Sequence, residues 1–244
     1  MTPAPNLATA GLAGPEAETI DLGTDSVRDL NSRLQAVQPG ANATRFHVLN
    51  PAGRHALAVG LTAPLSVEID GHAGYYCAGM NALASVTVNG NTGIGVAENM
   101  MSGFVHVKGD AGASAGATAH GGMLLVEGNA ASRCGISMKG IDIVVKGSVG
   151  AMSAFMAQAG TLIVLGDAGD ALGDSIYEAR LYVRGTVKSL GADCIEKPMR
   201  DEHRAEIAEK LAAAGITGVD VGAFRRYGSA RGLYNFHVDN AGAY

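Results

Sequence analysis

The stretch FVHVKGDAGASAGATAHGG (residues 104–122) begins as a strand and continues in side chains of almost no size. Val105 and Val107 alternate with His106 and Lys108, the period-two pattern of a strand with one buried face. After Gly109 the chain runs through Ala, Gly, Ser and Thr, with neither the spacing of an amphipathic helix nor the bulk of a core strand.

Its neighbours supply the explanation. The pieces VEIDG, VTVNG, VHVKG, LLVEG, IVVKG, LIVLG and LYVRG end at Gly71, Gly90, Gly109, Gly128, Gly147, Gly166 and Gly185, and every interval is nineteen residues. Residues 65–197 therefore divide into seven blocks without insertion or deletion. Each block carries inward-facing apolar residues at its third and fifth positions, such as Val86 and Val88 or Leu162 and Val164. A second small residue follows three positions after the glycine and a third follows four later, with Ala replacing Gly at Ala131 in the second place and at Ala78, Ala97, Ala154 and Ala192 in the third, and Lys188 departing from the pattern. Small residues at fixed phase serve positive φ or a backbone approach that leaves no room for a Cβ.

A unit with one strand and two small-residue corners cannot bury its apolar face alone, whereas stacked copies can. The expected fold is all-β: a right-handed parallel β-helix of nineteen-residue coils, roughly 34 Å tall at about 4.8 Å per coil, with flanking helices. The Ala/Gly stretch is the return path of one coil, confined between its neighbours. Hexapeptide left-handed helices, calcium-binding nonapeptide coils and leucine-rich repeats do not fit the period or the residue pattern. The outward position turns apolar in later blocks (Leu125, Val144, Ile163), which marks a face that something covers or a partner meets.

Composition sets limits. The apolar fraction is 47%, but only 5% is aromatic, Trp is absent and 35 residues are Gly, so the core must be narrow and closely packed. Net charge is −5 with no basic run longer than Arg225-Arg226, which argues against nucleic acid or an anionic membrane. Without a signal-like start or a long apolar run, the expected location is cytoplasmic, and Cys77, Cys134 and Cys194 suit a reducing compartment.

Both flanks carry a helix. Residues 1–18 form a tail, and residues 19–64 hold a strand, a capping helix from Asp25 or Ser26 to Pro39-Gly40 and an irregular first coil. Residues 198–244 begin with a helix and end in a tail rich in Tyr, Phe and Arg. Phe224, Arg225, Arg226, Tyr227, Tyr234 and Phe236 there either pack on the chain's own column or contact a partner subunit.

Catalytic patterns are not found. The seven histidines share no metal-binding spacing or coil phase, and no nucleophile elbow or dinucleotide fingerprint occurs. Cys77 and Cys134 share a phase but stand three coils apart, roughly 14 Å, too far for a disulfide. Catalytic, cofactor-binding and metal residues are accordingly expected to be none on this chain.

The repeated Gly-x-x-Gly-x-x-x-Gly block resembles the GXGXG domain of the glutamate synthase large subunit and a related subunit of formylmethanofuran dehydrogenase. The resemblance covers about residues 20–197. Because the chain is not fused to a flavin domain, and runs GDSIYEARLYVRGTVKSLGADCIEKPM before its second helix, it looks like the middle subunit of three-part glutamate synthase-like enzymes, above all N-methylglutamate synthase. The resemblance implies a structural subunit, inactive alone, that spaces a glutamine-amidotransferase-like subunit from a synthase subunit carrying FMN and an iron–sulfur cluster, in a higher hetero-oligomer, and helps wall a tunnel for ammonia. For the assembly it implies L-glutamate and methylamine giving N-methyl-L-glutamate and ammonia, or else amide transfer from glutamine to 2-oxoglutarate. Outside the family, an independent scaffold or a carbohydrate-acting β-helix is the other reading.

Overall fold

The computed structural model describes residues 17–38 and 45–232. In chain order the elements are β1 (Glu18–Asp21), α1 (Val27–Gln35), β2 (Arg45–Leu49), β3 (Ser66–Ile69), β4 (Ser85–Val88), β5 (Phe104–Val107), β6 (Met123–Val126), β7 (Lys139–Val145), β8 (Ala159–Val164), β9 (Arg180–Val183), β10 (Cys194–Lys197), α2 (Asp201–Ala213) and β11 (Arg225–Ser229). The strands form one sheet ordered β1 to β9, then β11, then β10. From β1 to β9 every pairing is parallel, and within the repeat each residue lies beside its counterpart one block away: Val67 by Val86, Val86 by Val105, Val105 by Leu124. This is a parallel β-helix.

A second wall follows two residues after the repeated glycine, where Ala73, Thr92, Ala111, Ala130, Val149, Ala168 and Val187 bridge in sequence. Between the walls the column is filled by its own side chains, Val86, Val88, Val105, Val107, Leu124 and Val126 among them, all with no solvent exposure. Small residues set the walls close together, and Val, Leu and Ala then suffice to fill the gap.

The structure separates the two roles that small residues can play. At Gly147 an added Cβ would lie 2.6 Å from the Gly128 carbonyl oxygen and 2.8 Å from its carbon. The Gly147 N–H donates to that same oxygen at 2.9 Å, so close stacking is what requires the glycine. Further along the quoted stretch, Ser114, Gly116 and Thr118 have φ of 61°, 67° and 54°. Their N–H groups point alternately along the column: Ser114 to Ser132 O (2.9 Å) ahead, Gly116 to Val96 O (2.8 Å) behind, Thr118 to Ile136 O (2.9 Å) ahead. Left-handed backbone costs a residue with a Cβ about 1–2 kcal/mol, and the bonds to both neighbouring coils offset that cost.

The leading coil is more regular than its sequence suggests. β2 pairs in register with β3, and Ala56, Ala58 and Gly60 repeat the left-handed alternation at φ of 54°, 54° and 65°. α1 closes this end. Ser26 caps it by accepting the Asp29 N–H at 3.1 Å, Leu30 and Leu34 are buried in the core, and Asn31 Nδ2 and Gln35 Nε2 each donate at 2.8 Å to the carbonyls of Ala56 and Val59.

One expectation is corrected here. The apolar outward residues Leu125, Val144 and Ile163 are not presented to a partner, because α2 lies over them. They are buried with Tyr182, Ile207, Leu211 and Phe224 in a second cluster outside the column. Two polar side chains of α2 orient the helix. Glu206 accepts from Arg180 Nη2 (2.6 Å) and Tyr182 Oη (2.5 Å) on β9, and Lys210 pairs with Asp142 (2.9 Å) on β7. α2 therefore runs along the stack from β9 toward β6, and its end, Ala213–Ile216, reaches the neighbourhood of Phe104 and Leu125.

Candidate functional site

Six of the seven repeated glycines, Gly90 to Gly185, form a hydrogen-bonded ladder from coil to coil, with Gly109, Gly128, Gly147, Gly166 and Gly185 each donating N–H to the glycine one block earlier at 2.9–3.0 Å. Gly90 follows the same rule of space, since its Cβ would meet the Gly71 carbonyl oxygen at 2.7 Å. Beside it runs a side-chain ladder that the sequence reading missed. His72, Asn91, Asp110, Asn129, Ser148 and Asp167 each accept the backbone N–H of the residue nineteen positions later, at 2.7–2.9 Å. The signal was legible: the residue after every repeated glycine has a side-chain acceptor, and Thr186 completes the series.

Of the aromatic and basic residues singled out near the C-terminus, Phe224 and Tyr227 are buried within the chain's own packing. Residues 225–227 pair antiparallel with β9, and β11 is also paired to β10 on its other side. Arg225 donates to the Gly185 carbonyl at 2.9 Å and lies 5.9 Å over the Tyr227 ring, while Arg226 reaches the Pro198 carbonyl at 3.5 Å. Arg225 is exposed at the surface, while Arg226 is half-buried. Tyr234 and Phe236 lie outside the described residues.

The outward face of the sheet is divided by its own residues. From Phe104 of β5 through the later coils it is largely apolar and lies under α2; over β2–β4 it is open and polar. A groove of about 420 Å³ follows this open half, with Arg45, Thr87, His106 and Lys108 along it and the end of α2 as one wall. Its charges tie neighbouring coils together. His47 Nε2 meets Asp70 at 2.8 Å, and Asn89 donates to Glu68 (2.8 Å) and Asp70 (2.6 Å). Glu127 holds His106 Nε2 and Lys146 Nζ, both at 2.8 Å. Hydrogen bonds from Asn89 and His47 hold the Asp70 carboxyl below its ordinary range, and the Lys146 bond does the same for Glu127 against the opposing effect of burial.

This arrangement fastens coils more than it prepares a reaction. All three cysteines are buried and unpaired, and burial pushes the Cys77 and Cys134 thiols up to about 12, so they stay protonated at neutral pH. Among the described residues no group of three or more His, Cys, Asp or Glu is placed to hold a metal ion, and no helix is long and apolar enough to cross a membrane.

No family model matches the chain, and no solved structure matches it. Among curated proteins, Protein GlxC of Rhizobium meliloti (strain 1021) is 62% identical over 225 residues, which span 92% of this chain and 99% of that protein. A match of that length takes in the repeat and both flanking helices.

Proposed function

The chain belongs to the family of Protein GlxC, and from that premise we propose that it is the structural subunit of a glutamate synthase-like complex. In this reading it holds a glutamine-amidotransferase-like subunit and an FMN- and iron–sulfur-carrying synthase subunit at a fixed separation in a cytoplasmic assembly. The reaction of the whole is N-methylglutamate formation from L-glutamate and methylamine, and the chain itself carries no catalytic group. The observation that carries the proposal is the architecture: a rigid column whose lumen is filled and whose glycines serve stacking between coils. Because side chains occupy the lumen, any passage for ammonia that this subunit helps to wall runs along its outside.

Reconstitution tests this. The amidotransferase-like and synthase-like subunits are purified with and without the chain and supplied with L-glutamate and methylamine. N-methylglutamate formed only by the three-part mixture supports the proposal. Glutamate formed from glutamine and 2-oxoglutarate would move the reading to ordinary amide transfer, and full activity without the chain would reject a structural subunit.

A further inference from the structure

We propose that the outer edge of β10 takes one more strand, and that the occupant is this chain's own continuation, residues 233–238. β10 is the last strand of the sheet, and among the described residues no strand pairs with its outer edge. The backbone shows which groups face that edge. The Ala230 N–H donates to the Asp193 carbonyl at 2.7 Å, so 193 and 230 form a hydrogen-bonded pair. Such pairs alternate along an antiparallel ladder, so Ile195 and Lys197 turn their N–H and C=O toward β11, opposite Gly228 and Arg226. Glu196 turns both of its groups to the outer edge, while the Cys194 N–H is taken by the Gly191 carbonyl at 3.3 Å.

The two ends of the column differ. α1 closes the first, whereas the last ends in β10, with Ile195 44% and Leu190 37% exposed. A solenoid needs a cover at each end, and an unpaired edge is a template for a further strand. Gly232 fixes where the chain goes next. Its N–H donates at 2.7 Å to Oδ1 of Asp193, the residue just before β10, so the chain has already crossed from β11 to the start of β10. A strand continuing from there runs parallel to β10 along its outer edge.

The sequence that follows, LYNFHV (233–238), suits that position. Tyr234, Phe236 and Val238 alternate with Leu233, Asn235 and His237, the period of a strand with one apolar face. Six extended residues span about 20 Å, against about 13 Å for the four of β10. Tyr234 and Phe236 would add two rings to the inward row through which Cys194 and Tyr227 enter the core. A segment tethered within one residue of the edge also has a high effective concentration there, which a strand from another protein must overcome.

The test follows the Glu196 amide by hydrogen exchange in the full-length chain, read residue by residue by mass spectrometry. Exchange at least about tenfold slower than in an unstructured peptide is expected, unchanged on dilution to concentrations at which native mass shows the monomer. Asn235→Pro and Phe236→Pro each remove a different backbone donor, and one of them should return Glu196 to the unprotected rate while the Val145 amide keeps its protection. An unprotected Glu196 amide in the wild type would overturn the proposal. So would protection that survives both proline variants, that vanishes on dilution and so belongs to a second copy, or that appears only when a partner protein is added.

Discussion

Replacing Gly147 by alanine separates close stacking from backbone freedom as the reason for the repeated glycine. Its Cβ would meet the Gly128 carbonyl oxygen at 2.6 Å, the carbonyl carbon at 2.8 Å and Asn129 Oδ1 at 2.5 Å. Two of these atoms are backbone, so the coils must part. Overpacking costs about 1–3 kcal/mol, and parting the coils weakens both the Gly147 N–H bond to Gly128 O and the Ser148 N–H bond to Asn129, each worth about 1 kcal/mol. The expected loss is about 3–5 kcal/mol. Gly218 is the control: its φ is +74°, with nothing within 4 Å of an added Cβ. Gly218→Ala therefore carries only the left-handed cost of about 1–2 kcal/mol. Urea unfolding followed by circular dichroism measures both, and hydrogen exchange should show the Gly147→Ala loss centred on the coils of β6–β8. Equal costs for the two variants would refute the stacking argument.

Asn129→Ala removes the acceptor of the Ser148 N–H and should cost about 1–2 kcal/mol, with faster exchange of the Ser148 amide, whereas Asn129→Ser keeps a hydroxyl acceptor of the kind Ser148 offers one coil on and should retain more of the protection. Ile207→Ala, on the buried face of α2, should cost about 2–4 kcal/mol and raise binding of a hydrophobic dye as Val144 and Ile163 loosen. Burial pushes the Glu206 carboxyl up, but the hydrogen bonds from Arg180 and Tyr182 outweigh it and hold the folded-state value below the ordinary range. Its stabilising contribution is therefore complete above about pH 4.3 and lost as pH falls through the folded value. Glu206→Gln should have a shallower acid decline in melting temperature than the wild type; an identical profile would remove Glu206 from the account.

The column was legible because its cause is periodic. Nineteen-residue spacing, paired inward residues and recurring small residues all required stacking, and the stacked register followed. The α1 cap was readable as well, since Ser26 precedes the helical spacing of Leu30 and Leu34. Sequence could not decide why a small residue stands at a given place: Gly147 avoids a carbonyl one coil back, whereas Gly116 and Thr118 adopt left-handed backbone, and only geometry separates the two. Nor could it assign a cover to Leu125, Val144 and Ile163. An apolar outward column reads the same whether α2 or a partner lies over it, and the answer depended on Glu206 and Lys210 finding Arg180, Tyr182 and Asp142. The ladder from His72 to Asp167 was hidden by its chemical variety, because His, Asn, Asp and Ser look unrelated until each is counted as an acceptor.

The most direct test of the subunit role is the native mass of the tagged chain isolated from its own cells, with an absorbance spectrum of what accompanies it. The account predicts a hetero-oligomer containing an amidotransferase-like and a synthase-like chain, with flavin and iron–sulfur absorption. A colourless species with the mass of this chain alone would contradict it.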